Sequence, residues 1–278
     1  MPRAIAFGLL LTGLSWTAPP ASPPRSLLRD HLLITWYGNP RSAGMGILGE
    51  QTGVGRASGL RQQADAYASL TSKRVLMAYH LVAVVAQCTA GADGRWRRRE
   101  TSDVIQTLLD EARANGFRLL LDLQPGRSTV AAEVDALAPF LAEPEVDLAL
   151  DPEFAMTDCQ IPGKQIGGLR AADVNAALDR LEAAIASHNL PPKILIVHQF
   201  RLDMLPDKAR IRRSAVVDVV LDMDGFGSQS LKLASYRAVM RQPLPFAGIK
   251  LFYRQDTRLF SPAQVMSLSP TPAVVIYQ

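Results

Sequence analysis

The sequence predicts an α/β fold, a (β/α)8 barrel of a single domain, and three observations lead to that prediction. Eight short apolar runs, rich in β-branched residues, are spread along residues 31–278. Amphipathic segments separate many of them, so that strand and helix alternate. The runs are nearly continuous in apolar residues, which is typical of parallel strands buried on both faces. Eight strands and about seven helices in roughly 245 residues match the size of one barrel.

The apolar runs are the predicted strands, and most of them end in a polar or glycine-bearing cluster. They are His31–Tyr37, Arg74–Val85, Phe117–Leu123, Val146–Asp151, Lys193–His198, Val216–Met223, Gly248–Tyr253 and Ala273–Gln278. A doubly wound open sheet has the same alternation of strands and helices. Because strand order cannot be read from one sequence, the open sheet stays as the alternative fold.

Helical periodicity predicts the segments between the strands. Ser102–Asn115 follows a capping residue, Thr101, and stops at Gly116. Ala171–Asn189 has the same apolar spacing and ends before Pro191. Weaker patterns predict helices at Leu60–Leu70, Val130–Leu141, Ser230–Arg241 and Pro262–Leu268.

The first 21 residues predict a secretory signal. Arg3 precedes an apolar stretch, Ala4–Trp16, which is followed by small residues and prolines. The apolar stretch is shorter than the roughly 20 residues that span a bilayer. We therefore expect a secreted or periplasmic protein without a stable membrane anchor after cleavage, whose barrel domain covers residues 30–278.

Charge and cysteine content exclude several classes of protein. Lys and Arg total 30 against 26 Asp and Glu, and this small, scattered excess does not indicate a nucleic-acid partner. Two cysteines exclude a disulfide-rich scaffold and a four-cysteine zinc site. In an oxidising compartment Cys88 and Cys159 could form a disulfide; two free thiols are the alternative. We expect a monomer.

Polar side chains collect where the predicted strands end, which is where a barrel builds its active site. A single Asp after a strand usually caps a turn. Burying several charged groups is costly, however, unless they are paired, hydrated or used. The sequence therefore predicts a functional pocket formed by Tyr37, His80, Asp122, Gln124, Asp151, Glu153, His198, Gln199, Asp222, Asp224, Lys250, Tyr253 and Tyr277.

The pair Asp151-x-Glu153 is the sharpest feature among these residues. Positions i and i+2 of a strand face the same side, so both carboxyl groups could point into the barrel mouth. Two carboxyl groups so close cannot both ionise freely, so one should have a raised pKa and could act as a general acid. Hydrolysis of a glycosidic bond requires such a pair. Asp122-x-Gln124 and Asp222-x-Asp224 repeat the spacing.

A D-x-E at the end of the fourth strand resembles the tail of the signature of chitinase-like glycoside hydrolases. The resemblance implies that Glu153 is the proton donor and that Asp151 assists it. This chain has Val146 and Ala149 where that signature has Asp, and Tyr277 where the family has a Trp on its last strand. Through the segments ITWYGNP, LDLQPG, LDPEF, VHQF and DGFG, the chain also resembles a group of uncharacterised exported bacterial barrel proteins.

Together these observations predict a secreted hydrolase that acts on a small-molecule or glycan-like substrate. Glu153 is the candidate acid, and Asp151, Asp122, Asp222 and Asp224 are candidates for base, stabiliser or pKa tuner. The residues expected to bind substrate are Tyr37, His80, Gln124, His198, Gln199, Lys250, Tyr253 and Tyr277.

Two other functions remain open at this point. One is a non-catalytic barrel that binds carbohydrate or cell-wall polymer. The other is a metal-dependent hydrolase or phosphodiesterase, since the histidines and carboxylates of the pocket are suitable ligands for Zn, Mn or Ca. The sequence contains no H-x-H, H-E-x-x-H or C-x-x-C spacing. We therefore predict no cofactor and keep a divalent metal as the alternative.

Overall fold

Eight parallel strands close into a barrel in the structure, a computed structural model that describes Met1 and residues 26–278. The first strand pairs with both the second and the last, and the other barrel strands pair with their neighbours in chain order. A short antiparallel strand extends the second one as a hairpin. The strands are β1 (His31–Gly38), β2 (Arg74–Ala86), β3 (Arg97–Arg99), β4 (Arg118–Leu123), β5 (Val146–Leu150), β6 (Lys193–His198), β7 (Val217–Met223), β8 (Phe246–Leu251) and β9 (Val274–Tyr277).

Closure of the sheet confirms the predicted (β/α)8 barrel and rules out the open sheet. Each of the eight predicted runs overlaps a barrel strand, and the hairpin strand β3 is an addition. The predicted export segment, residues 1–21, lies outside the described residues apart from Met1. Among the described residues, no helix is both long enough and apolar enough to cross a bilayer.

Helices surround the barrel, and the six predicted ones are present, Ser102–Asn115 and Val130–Leu141 with the predicted ends and the other four with shifted ends. They are α1 (Ile47–Glu50), α2 (Gly53–Ala68), α3 (Ser102–Asn115), α4 (Val130–Leu141), α5 (Ala171–His188), α6 (Gln229–Val239) and α7 (Pro262–Met266). The one-turn helix α1 was not predicted. Helix α2 begins at Gly53 rather than at Leu60, because its first half carries few apolar residues to reveal a helical pattern. Gly116 ends α3 in the left-handed conformation, which is the usual one for a glycine that stops a helix.

Side chains along each strand alternate between the helices and the barrel interior, and the protein therefore has two apolar clusters, one between strands and helices and one inside the barrel. On β7, Val219 and Leu221 pack toward the helices, and Val220 packs inside. Asp218 closes the N-terminal end, since its Oδ2 accepts the backbone amides of Leu27 and Leu28 at 2.7 and 2.8 Å. The interior positions at the C-terminal ends of the strands are polar as well, and they include Asp122, His198 and Asp222.

Candidate functional site

A cavity of about 680 Å3 opens at the C-terminal ends of the barrel strands. Its walls combine carboxyl groups, one lysine and several phenylalanine rings. The lining includes six of the residues predicted from the sequence, which are Tyr37, Gln124, Asp151, Glu153, Asp224 and Lys250. The predicted location of the pocket agrees with this position.

Asp151 and Glu153 reach the cavity by a turn rather than by strand alternation. Strand β5 ends at Leu150, and Asp151 caps a single 3-10 turn, Pro152–Phe154. Oδ1 of Asp151 accepts the backbone amide of Glu153 at 3.2 Å, and its Oδ2 accepts Nε2 of Gln124 at 3.2 Å. The prediction that Asp151 and Glu153 share one face of a strand is therefore wrong, although both carboxyl groups line the cavity.

Three carboxyl groups at the cavity have raised pKa values, and repulsion between Glu153 and Asp224 favours one shared proton over two negative charges. Burial raises the pKa of Glu153, and the negative charge of Asp224 raises it further. Burial and the charge of Asp122 hold the pKa of Asp151 well above its ordinary range. Burial also raises the pKa of Asp224, against the opposing charge of His198. Glu153 is partly exposed to the cavity. Because its pKa is raised, its carboxyl group keeps its proton at a pH where an ordinary exposed glutamate has lost it.

Beneath the cavity His198 lies between two carboxylates inside the barrel. Its Nδ1 is 2.9 Å from Oδ2 of Asp222, the residue paired with it across β6 and β7. Its Nε2 is 3.4 Å from Oδ2 of Asp122 on β4. Burial disfavours a charged imidazole, but Asp122 and Asp222 raise the pKa of His198 well above its usual value.

His80 completes this buried cluster from β2. Its Nε2 lies 3.7 Å from Oδ2 of Asp122, and its ring stacks on that of His198 with centroids 5.7 Å apart. Burial lowers the pKa of His80 to about 3, so its imidazole is neutral. Burial would raise the pKa of Asp122, but the neighbouring His198 and His80 lower it below its ordinary value.

Several polar atoms of the cluster have no hydrogen-bond partner among the residues that the structure describes. They are both ring nitrogens of His80, both carboxylate oxygens of Asp122, Nε2 of His198, and Oδ1 of Asp222 and of Asp224. All lie in side chains that are buried. One ligand atom from each of His80, Asp122 and His198 falls within 4.8 Å of the others, so these three could hold a metal ion.

Lys250 and Tyr37 lie between this cluster and the cavity. Nζ of Lys250 is 3.4 Å from the centroid of the Tyr37 ring, a cation–π contact. Burial and the charges of Asp122 and Asp151 raise the pKa of Tyr37 well above its ordinary value. The tyrosine is therefore a neutral hydroxyl, and both residues line the cavity.

The apolar wall of the cavity includes residues that sequence reasoning did not assign to a site. Phe226 is 61% exposed at the rim, and its ring lies edge-on to Phe252, with centroids 5.7 Å apart. Both residues follow barrel strands, and that position is the feature of the sequence from which they could have been predicted as site residues. The remaining apolar and small lining residues include Met45, Phe154, Phe200 and Leu231.

Several predicted site residues do not line this cavity. The Tyr277 side chain points toward the helices, where its hydroxyl lies 2.7 Å from that of Tyr67 on α2; its neighbour Gln278 lines the cavity instead. Tyr253 stacks on Tyr277 and donates a hydrogen bond to Oε1 of Gln63. The amide of Gln199 donates to backbone carbonyls of the following loop, at Arg201 and Leu202. His80, His198, Asp122 and Asp222 are buried below the lining.

Cys88 and Cys159 are both exposed, and both are free thiols in the described structure. The disulfide considered from the sequence is therefore not formed there. The alternative of two free thiols describes the observed arrangement.

Comparison with known proteins gives matches among solved structures only. No known family profile and no curated protein matches the chain. The chain is similar to a GH18 chitinase from Pseudoalteromonas aurantia, with 12% identity, coverage of 88% of this chain and 93% of the chitinase, and a TM-score of 0.46. It is also similar to a GH20 β-N-acetylhexosaminidase from Streptomyces coelicolor A3(2), with 11% identity, coverage of 92% of this chain and 60% of the other, and a TM-score of 0.37.

Both resemblances are distant, and strand pairing by itself establishes the architecture of the chain. Fold and site together define a (β/α)8-barrel protein with a carboxyl-lined cavity at the C-terminal end of the barrel.

Proposed function

We propose that this protein is a hydrolase that cleaves glycosidic bonds in a glycan-like substrate, with Glu153 as the general acid. The observation that carries the proposal is the placement of Glu153, a partly exposed carboxyl group in the wall of the cavity, beside further carboxyl groups. The charge of Asp224 and burial keep its pKa high, which suits a group that must hold a proton before it donates it.

The chemistry that this arrangement supports has two parts. The carboxyl group of Glu153 donates its proton to the glycosidic oxygen as the bond from that oxygen to the anomeric carbon breaks. Water forms the new bond to the anomeric carbon and gives up a proton to a carboxylate. Asp224, the second acidic group assigned to the reaction, is that base or stabilises the positive charge that develops on the sugar ring. Asp151 holds the turn that presents Glu153 and makes no such step itself.

The remaining lining suits a sugar. Phe226 and Phe252 offer apolar ring faces at the cavity, and the amide of Gln124 and the ammonium of Lys250 offer hydrogen bonds. A cavity that combines aromatic faces with a few placed polar groups is the usual form of a small-ligand site. Asp122, Asp222 and His198 lie beneath the lining and act on the reaction through the charge they place under the cavity.

We also propose that the chain is exported, on the basis of the pattern of residues 1–21. N-terminal sequencing of the protein recovered outside the cytoplasm of a producing bacterium tests this. A mature chain that begins near residue 21 supports export, and an intact chain confined to the cytoplasm contradicts it.

The test of function is turnover of a panel of oligosaccharides and cell-wall polymers by the wild type, Glu153→Gln and Glu143→Gln. Glu143→Gln is the matched control, because it makes the same chemical change far from the cavity. Glu143 forms an exposed ion pair with Arg113 just before β5, at the opposite end of the barrel. We expect Glu153→Gln to lose at least about 100-fold in kcat/KM, the usual contribution of a general acid, and Glu143→Gln to behave as wild type.

Two results would contradict the proposal. Binding of a glycan by the wild type without turnover of any panel member indicates the non-catalytic carbohydrate-binding barrel. Turnover that is equal in wild type and Glu153→Gln removes Glu153 from the reaction.

A further inference from the structure

We propose that His80, Asp122 and His198 bind one divalent transition-metal ion, of the zinc type, inside the barrel beneath the cavity. The inference goes beyond the proposed hydrolase function and does not depend on it, since it does not involve the proposed acid Glu153 and is tested by metal binding rather than by turnover.

The geometry of the three ligand atoms fits a small cation. Oδ2 of Asp122 lies 3.7 Å from Nε2 of His80 and 3.4 Å from Nε2 of His198. In a tetrahedral zinc site with bonds of about 2.0–2.1 Å, neighbouring ligand atoms are roughly 3.3 Å apart. These two separations exceed that value by a few tenths of an ångström, and all three ligand atoms lie within 4.8 Å of one another, so an inward movement of the side chains completes the site.

The hydrogen-bonding state of these atoms points to a ligand. Nε2 of His80, Nε2 of His198 and both oxygens of Asp122 are buried without a hydrogen-bond partner in the described part of the chain. Their residues are fully buried. A buried polar atom without a partner is costly, and native proteins rarely leave several in one place. One metal ion satisfies all three residues together.

The contact between His198 and Asp222 is a second, independent observation. Nδ1 of His198 donates to Oδ2 of Asp222 at 2.9 Å. This hydrogen bond orients the ring so that Nε2 faces Asp122, and a metal ion bound there takes the place of the Nε2 proton. Metal-binding histidines usually donate their other ring nitrogen to a carboxylate or carbonyl in this way.

The charge around the cluster also favours a cation. Asp222 lies on β7, and Asp151 and Asp224, which directly follow β5 and β7, interact with the charge of Asp122. Lys250 faces them from β8, and Lys232 is engaged with Asp256 at 3.1 Å. Buried acidic groups need a compensating positive charge. Two imidazoles and one carboxylate form the donor set that borderline ions such as zinc prefer over calcium or magnesium.

Direct metal binding tests the proposal. The folded protein is treated with chelator, dialysed, and titrated with Zn2+ by calorimetry; Co2+ is then used as a probe whose visible absorption reports tetrahedral coordination. We expect one Zn2+ per chain, a visible Co2+ spectrum, and a Tm that rises with added Zn2+.

Variants locate the ion. We expect Asp122→Asn and His80→Asn to weaken Zn2+ binding by about 100-fold or more and to lose the Co2+ spectrum. Asp222→Asn should weaken binding by about 10- to 100-fold, the usual effect of removing a partner of a metal-bound histidine. His188→Asn is the matched control, because His188 is exposed at the end of α5. Glu153→Gln should bind Zn2+ as the wild type does, which separates this proposal from the proposed catalytic role.

Two results would overturn the site. Chelator-treated wild type that takes up no stoichiometric Zn2+ and gives no Co2+ spectrum shows that protons and ion pairs alone stabilise the cluster. Binding that is unchanged in Asp122→Asn and His80→Asn places the ion elsewhere. If these variants do not fold, the wild-type stoichiometry and the affinity of Asp222→Asn decide.

Discussion

The backbone amide of Glu153 donates a hydrogen bond to Oδ1 of Asp151, at 3.2 Å. This contact caps the 3-10 turn that follows β5. It determines where the strand stops and where the carboxyl group of Glu153 enters the cavity wall. The other oxygen of Asp151 accepts the amide of Gln124, so the capping side chain is itself held from β4.

Asp151 should therefore affect the reaction through the position of Glu153. We expect Asp151→Ala to lower kcat by more than 10-fold with a smaller change in KM, because the turn loses its cap while the rest of the lining stays. Asp151→Asn retains one oxygen that can accept the Glu153 amide, and we expect it to recover much of the loss. Steady-state kinetics on a cleaved glycan measures both values. Equal loss in the two variants would show that the carboxyl group of Asp151 matters for a reason other than the cap.

Activity should decline at alkaline pH as Glu153 loses its proton. Burial and Asp224 raise the pKa of Glu153, so the protonated acid persists above the ordinary glutamate range and is lost as the pH rises through the raised value. We expect the alkaline limb of kcat/KM to move to lower pH in Asp224→Asn, because that variant removes the charge that helps to hold the proton. A limb that stays at the same pH in Asp224→Asn would assign it to another group.

Gly59 on α2 packs directly against the ring of Trp36 on β1, where a side chain at position 59 would not fit. A Cβ atom at Gly59 would lie 2.2 Å from Cη2 of Trp36, whose ring is buried. We expect Gly59→Ala to lower the free energy of unfolding by about 1–3 kcal/mol, the usual cost of overpacking. Gly55→Ala is the matched control on the same helix, since its Cβ would meet only Oε1 of Gln51 at 3.6 Å. That variant should leave stability unchanged or raise it by up to about 1 kcal/mol. Urea unfolding measures both, and equal effects would contradict the packing argument.

Lys208 should make stability rise with pH in the alkaline range. Its Nζ donates to Oε1 of Gln199 at 2.9 Å and to the carbonyl of Val239 at 2.7 Å. Burial lowers its pKa from 10.5 to about 8. Between these values the unfolded chain holds a proton that the folded protein has released, so raising the pH favours the folded state.

The measurement for Lys208 compares the free energy of unfolding at pH 8 and pH 9.5. We expect the difference between wild type and Lys208→Met to grow by roughly 1–2 kcal/mol over that interval. Lys164→Met is the control, because Lys164 is exposed. A difference that does not change with pH would mean that Lys208 stays protonated in the folded protein.

Barrel strands could be predicted because their signal is local. The run Lys193–His198 is apolar along most of its length, and buried parallel strands leave that pattern in any sequence. Helix α2 was predicted to begin too late because Gly53 and Gly55 weaken its pattern, and only the packing of Gly59 on Trp36 explains glycine in that helix.

The location of the site could be predicted from the sequence, but the orientation and contacts of its side chains could not. Polar residues at strand ends indicate the C-terminal end of the barrel, which the cavity occupies. Whether a side chain points inward depends on register, so Tyr277 was assigned to the site while the inward position belongs to Gln278. The approach of His198 to Asp122 and Asp222 requires strands β4, β6 and β7 to come together, and no spacing in the sequence encodes that.

The leaving-group dependence of Glu153→Gln tests the central claim most directly. Two substrates are compared, a natural glycan and a dinitrophenyl glycoside of the same sugar, whose leaving group departs without protonation. If Glu153 is the general acid, the variant loses about 100-fold or more in kcat/KM on the glycan and little on the dinitrophenyl glycoside. An equal loss on both substrates would contradict the assignment.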